Sequence, residues 1–561
     1  MLPAHWQPRS ASSIDTSDPL GWLLSSRGRS TAELQIGLSD LLPVRSLEGV
    51  TEVAGRLLDL AHSGNRIAVV GDFDCDGATA SVVLLKALRA IGADVFSIIP
   101  SRIAHGYGLS PAVSEAAQRA GATVLVTVDN GVSAHAGIAR ARALGVEVLI
   151  TDHHLPGDMA PDAPMINPNG RGSSFPSRAL AGVGVAFYLA LEIGRQAAER
   201  GRGFADHRQL LGLVAVGTIA DLVPVDRNNL LLINAGLRQI RAGRAGPGIE
   251  ALCRASNIDA AALTSTDIAF SIAPRINAAG RLAEMSLGIS CLDADDHVQA
   301  QHAALALTSK NAERRLIQAD GEALVLDEAA AQSDRAAIVV WSNQLHEGVV
   351  GIIAGRLREK FHRPCIVFAV RDDGIAKGSA RSVPGVHLRD ALAHLDASHP
   401  GMLRAFGGHA AAAGLTVEAA DLPAVREASI KAIEAAMQRD PAGDAGLLHD
   451  GLLPAQLLEL SFALQLESVP WGQGIPAPLF LGDFSVLRAR EMRGGHLRLQ
   501  LNPANSDRIV DAVWFNPPEP AAVGSQIQAL YSMAVNRFAG EASAQITIKE
   551  AVLAERCVIT R

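Results

Sequence analysis

Lysine is scarce in this chain. Of its 50 basic residues only Lys86, Lys310, Lys360, Lys377, Lys431 and Lys549 are lysines; the rest are arginine. Arginine's planar fork suits phosphate, but GC-rich coding produces the same skew, so composition alone does not decide. Cysteine is scarce too: five residues, an odd number with no CxxC pair, which excludes a disulfide scaffold and a zinc ribbon. No apolar run reaches the length of a membrane span. The longest, Ala179 to Leu191, stops at Glu192 and predicts a buried helix. The opening MLPAHWQPRS has no basic stretch followed by an apolar one, so no signal peptide is expected. A soluble, cytoplasmic protein of a reducing compartment is the expectation. No phosphate-cradling GxxxxGK[ST] is present, which argues against an ATP-driven motor. The net charge of −8 argues against a protein that coats nucleic acid by bulk charge, while leaving room for a local basic channel.

What is present is core-forming material. The chain is 48% hydrophobic over 561 residues, which excludes disorder and suggests several domains. From Arg66 to Asp221, strands RIAVVG, ADVFSIIP, ATVLVTV and VEVLIT alternate with helices such as ASVVLLKALRAIG and HAGIARARALG. That alternation predicts an α/β domain with a parallel sheet. Residues 297–332 contain one glycine and no proline, consistent with a long helix. A second α/β pattern follows: AAIVVW, HEGVVGIIAGRLREKF, PCIVFAV and GIAKGSA. After the Pro/Gly/Asp tract Arg439–Gly446, the short runs LRLQLN, RIVDAVWF, SQIQALYSMAVNRF and SAQITIKEAVL suggest a small β-barrel. The expected division is an N-terminal segment 1–45, an α/β domain 46–290, a connecting helix 291–333, a second α/β domain 334–438 and a barrel 447–561. A chain ending near Asp444 is expected to keep the chemistry of the α/β domains and to lose only what the barrel adds.

Four acidic or histidine clusters share one placement. Asp72, Asp74 and Asp76 follow RIAVV; Asp129 closes TVLVTV; Asp152-His153-His154 closes VEVLI; Asp221 follows the apolar run AVGTIA. In an open parallel sheet the strands' carboxyl ends share one edge, where ligands bind. Packed carboxylates repel and are costly to bury without a cation. Carboxylates with imidazoles suit Mn²⁺ or Mg²⁺, and a carboxylate shared between two ions suits phosphoryl chemistry. A single Asp after a strand is ordinarily a helix cap; four such clusters together point to metal. DFDCDG mimics a calcium loop, but Val83 stands where that loop demands Glu.

With GDFDCDGATA, TVDNG, TDHH, GTIADLVP, APRINAAGR, HEGVVGIIAGRL, KGSARS and GGHAAAAG in order, the chain resembles the DHH phosphoesterase family. More closely, it resembles the RecJ-type single-strand-specific 5′→3′ exonucleases of bacteria. The resemblance implies a DHH domain, a DHHA1-like substrate domain facing it, and an OB-fold-like barrel. It implies two divalent cations, Mn²⁺ or Mg²⁺, held by Asp74, Asp76, Asp129, His153 and Asp221. Asp72 is implied as a ligand or a supporting group, and His154 lies against the scissile phosphate; His154, Asp129 and Asp72 are the implied catalytic residues. Asn130 departs from a more usual Cys in the second motif.

Arg102 and Tyr107 suit phosphate gripping and base stacking. Arg275 and Arg281 flank the small-residue run INAAG. Ser379, Arg381 and Gly407-Gly408-His409 read as anion-binding loop material; the resemblance assigns the Ser and Arg to a terminal phosphate. In the barrel, Trp514 and Arg537 are strand-binding candidates, with Arg488, Arg490, Arg493, Arg498, Phe515 and Phe538 beside them. The implied activity is hydrolysis of single-stranded DNA from a 5′ end to mononucleotides in recombination and repair, with a single-strand-binding protein and a helicase as expected partners. Two rivals are a DHH enzyme of short oligonucleotides or bisphosphonucleotides, and a non-catalytic replication factor.

Overall fold

The computed structural model describes residues 3, 5–100, 108–202, 206–282, 284–439, 446–517, 523–538 and 541–553. The described residues cluster into two compact units.

The first unit comprises residues 7–280, 284–308 and 448–561. Its parallel sheet contains β1 (Arg66–Val70), β2 (Asp94–Ile98), β3 (Val124–Val128), β4 (Glu147–Thr151) and β5 (Met165–Ile166), in the order β2-β1-β3-β4-β5. Alternate residues of one strand enter different cores. Ile67 and Val69 pack with helices Val50–His62, Cys75–Ala90 and Gly182–Glu199; Ala68 and Val70 pack with helices Pro111–Arg119 and His135–Ala143. Both faces are covered, so these strands read as unbroken apolar runs. The apolar stretch before Glu192 is the helix Gly182–Glu199. One expectation fails locally: Asp221 caps the helix Leu211–Ala220 and does not end a strand. AVGTIA is apolar throughout because that helix is buried nearly all round, and periodicity cannot separate such a helix from a buried strand.

The same unit holds a closed barrel: β11 (Phe480–Met492), β12 (His496–Pro503), β13 (Val510–Trp514), β14 (Gln526–Phe538) and β15 (Glu541–Leu553), ordered β11-β12-β13-β15-β14. The first of these strands leaves only a short apolar alternation, because its register shifts between Val486 and Arg488 and the residues beyond Val486 are exposed or half-buried. Barrel and sheet domain share material. Leu23 and Ile14 enter the barrel core, while Val469 and Ile475 enter the sheet domain's core. Arg27 donates two hydrogen bonds to the buried Asp450, both of 2.8 Å. Ending the chain near Asp444 would strip these groups, which works against the expectation that such a fragment keeps its chemistry.

The helix His297–Ala330 carries the chain into the second unit. There the strands β6 (Ile338–Ser342), β7 (Cys365–Val370), β8 (Ile375–Arg381), β9 (Ala405–Gly408) and β10 (Ala412–Glu418) order as β9-β10-β8-β7-β6. Only β6 and β7 run parallel. KGSAR and Gly407-Gly408 are therefore strand residues and not loops. Small side chains allow tight neighbours: Gly378 faces the Phe368 ring, and Gly414 lies opposite Ser379 in the register.

Candidate metal centre

Asp74 caps the helix Cys75–Ala90, its Oδ1 accepting from the Gly77 amide at 3.0 Å. Asp76 is in that helix's first turn, and both its oxygens accept backbone amides at the start of the helix Gly182–Glu199, from Gly182 at 2.7 Å and Val183 at 2.9 Å. Asp129 follows β3 with φ of 60°, a left-handed conformation costly for a residue with a side chain. Gly182 makes room for it: a Cβ there would lie 2.7 Å from Asp129 Cβ. Asn130 ties two strand ends together, donating to the carbonyls of Val70 at 3.1 Å and Val128 at 2.9 Å.

Asp152, after β4, is a buried organiser that sequence reasoning left without a role. Its Oδ2 accepts from the Val132 amide at 2.8 Å; its Oδ1 accepts from the His153 amide at 2.7 Å and His154 Nδ1 at 2.8 Å. The triplet it opens was the available signal, but only the fold shows that its carboxylate is consumed internally. Burial alone would lower His154, yet the Asp152 hydrogen bond and charge outweigh it and hold the imidazole up at about 9. His153 goes the other way, pushed down to about 4 by burial and the His154 charge. His153 Nε2 lies 3.1 Å from Asp129 Oδ1 and 3.6 Å from Asp221 Oδ2.

The ligand atoms form three overlapping groups, each within 4.8 Å: Asp72, Asp74 and Asp129; Asp76, His153 and Asp221; Asp129, His153 and His154. Burial, with the charges of Asp221 and Asp74, raises Asp76 well above the usual carboxylate range. Burial, with the neighbouring aspartates, does the same to Asp129. Burial and the Asp74 charge bring Asp221 to about 7. His153 Nε2 and Asp221 Oδ2 are buried without a hydrogen bond. A neutral imidazole nitrogen facing crowded carboxylate oxygens is a fitting donor set for a hard divalent cation. The seven residues named for this centre in the sequence do converge.

The remaining candidates separate. Arg102 and Tyr107 lie outside the described residues, as does the side chain of Phe538. Arg275 donates to Thr308 Oγ1 at 3.1 Å and to the Ser271 carbonyl at 2.6 Å. In the second unit, Arg281 donates to the Gly348 carbonyl at 3.1 Å. Arg381 donates to Ser379 Oγ at 2.9 Å, and Gly351 of the helix Val350–Phe361 lies against both. His409 is lowered by burial and by the charges of Arg381 and His387.

Trp514 needs correction as a strand-binding platform. It is 5% exposed and packs in the barrel core, while its neighbour Phe515, just past the end of the strand, is 53% exposed. Phe515 meets the His496 ring edge-on at 5.1 Å. Arg537 is occupied by a forked pair with Glu467, at 2.7 and 2.5 Å. Arg488, Arg490, Arg493 and Arg498 are exposed.

Family models match residues 66–218 as the DHH family, N-terminal domain, 334–437 as the DHHA1 domain, and 449–550 as the RecJ OB domain. The chain is 42% identical to the single-stranded-DNA-specific exonuclease RecJ of Salmonella typhimurium, covering 94% of each chain. It is 32% identical to that of Bacillus subtilis, covering 95% of this chain and 68% of the relative. Among solved structures, RecJ of Thermus thermophilus in complex with Mn²⁺ matches at 30% identity and a TM-score of 0.79, over 96% of this chain and 76% of that one. The same protein in complex with Mg²⁺ matches at 28% identity and a TM-score of 0.74, over 96% and 75%. No helix among the described residues is long and apolar enough to cross a membrane.

Proposed function

This chain belongs to the RecJ family of single-stranded-DNA-specific exonucleases, and from that premise we propose that it hydrolyses single-stranded DNA from a 5′ end to mononucleotides, in recombination and repair, using two divalent cations. The observation that carries the reading is the convergence of Asp72, Asp74, Asp76, Asp129, His153 and Asp221 into overlapping groups, with Asp129 common to two of them. Mn²⁺ or Mg²⁺ bound there would polarise phosphoryl oxygens and lower the pKa of a bound water.

The chain's own residues do the positioning. Gly182 and Val183 amides fix both oxygens of Asp76, leaving their remaining lone pairs for a cation. His153, kept neutral, offers Nε2 as a ligand. His154, kept cationic by Asp152, offers an N–H to a phosphate oxygen where negative charge develops. Ser379, Arg381 and His409 form the terminal-phosphate pocket, with Arg281, Arg275, Arg102 and Tyr107 as further substrate contacts. On this reading residues 46–290 carry the chemistry, 291–333 connect, 334–438 hold the strand's end and 447–561 hold the strand. The reading extends to a cytoplasmic setting, and to a single-strand-binding protein and a helicase as partners.

End-labelled single- and double-stranded oligonucleotides, with Mn²⁺ or with chelator, test it. Release of mononucleotides from the 5′ end of single strands only, abolished by chelator, is expected; release from 3′ ends or from duplex at equal rate overturns it.

A further inference from the structure

Phe270 is 74% exposed, whereas its neighbours Ile268 and Ile272 are fully buried. These residues lie in a single π-helical turn, Ile268–Ile272, that runs into the helix Ala273–Leu282. Such turns carry a wider backbone, and they recur at functional sites. Arg275 braces this one by donating to the Ser271 carbonyl at 2.6 Å. The isoleucines on either side anchor the turn by themselves, so the phenyl takes no part in that packing and leaves its face open.

The ring's address is informative. Toward one end of the helix, Asn277 Oδ1 accepts the Cys75 amide at 2.8 Å, and a Cβ on Gly280 would lie 1.8 Å from the Phe73 carbonyl oxygen. The helix is therefore docked on the loop that bears Asp72 and Asp74. Seven residues at a helical rise put Phe270 about 10 Å from that contact. Phe270 thus stands on an element fixed to the loop that bears Asp72 and Asp74.

We propose that Phe270 is a stacking post, on which one base of the single strand lies on its way to the metal centre. The inference rests on the single-strand exonuclease reading and adds a specific contact to it. A lone ring reads no base edge, so the contact is indifferent to sequence, as an exonuclease requires; every base has a π-face to offer.

The test measures binding, in chelator, of oligonucleotides carrying one abasic site at each position in turn, by wild type, Phe270→Ala and Phe270→Trp. Wild type is expected to lose about tenfold at one position, the value of one base stack. Phe270→Ala is expected to bind the full strand about tenfold more weakly and to lose nothing further at that same position, with an unchanged melting temperature. Phe270→Trp restores binding, and its fluorescence is quenched by the strand. Unchanged binding by Phe270→Ala overturns the proposal, as does a loss that persists wherever the abasic site is placed. If wild type binds and degrades no single strand at all, the exonuclease reading itself falls, and the stacking post with it.

Discussion

Two groups of buried aspartate in the first unit are built in opposite ways. Asp450, 1% exposed, is neutralised from within. Arg27 meets both its oxygens, Arg9 lies 3.3 Å away, and the Leu479 amide donates at 3.1 Å. At the sheet edge Asp76 has only two amides against the charges of Asp221 and Asp74. Asp221 takes most of its shift from burial and Asp74. One carboxylate is a structural rivet; the others are held in a state that a cation would relieve. Burial of a charged group is thus informative about function only together with what surrounds it.

The largest expected effect separates these roles by activity. Asp129→Ala should lower Mn²⁺-supported turnover of single-stranded DNA by more than about a hundredfold, since a shared ligand serves both groups. Its metal-free stability should hold or rise, because carboxylate repulsion is relieved. Activity within about tenfold of wild type would remove Asp129 from the centre. Asp450→Ala should do the reverse. Leaving Arg27 charged and buried, with the half-buried Arg9 beside it, costs about 3–5 kcal/mol in denaturant unfolding, while turnover per folded molecule stays near wild type; a lost activity without lost stability would break the contrast.

A third prediction concerns pH. In the metal-free protein the folded-state values of Asp76, Asp129 and Asp221 all lie above their unfolded ones. The folded state then holds more protons than the unfolded, so this contribution favours folding at low pH and is lost as pH rises toward Asp221's value of about 7. Cation binding must expel those protons, so apparent Mn²⁺ affinity should rise with pH by up to about tenfold per unit for each proton released. Calorimetry in buffers of different ionisation enthalpy counts them; no proton release would contradict the raised carboxylates.

The smallest effect belongs to the barrel surface. Arg490 and Arg498 are register partners on adjacent strands. Replacing either by Ala should reduce the slope of log K against log salt by about 0.7 for single-stranded DNA, with hydrolysis of a very short oligonucleotide unaltered. An unchanged slope for both would place the strand elsewhere. Trp514→Ala should act through stability instead, by about 3–5 kcal/mol, as for any large buried ring.

Much of this was legible in the residues alone. Apolar runs alternating with helices give the parallel sheet, and the lack of proline gives the long helix, because a strand covered on both faces and a helix with no breaker each leave a local signature. The acidic clusters were legible because so many carboxylates at successive element ends have few other uses. Register and contact were not. Sequence placed Trp514 and Phe515 side by side, and only the barrel's closure decided that the indole turns in and the phenyl out. Asp152 reads like the other aspartates until its oxygens are seen to be taken by Val132, His153 and His154. Asp221 lies in a stretch equally apolar as a strand or a helix. Local sequence thus determined which chemistry this protein carries and roughly where along the chain. Which carboxylates are satisfied internally, and which await a cation, was decided by partners distant in sequence, because hydrogen bonding and desolvation depend on what the fold brings within a few ångströms.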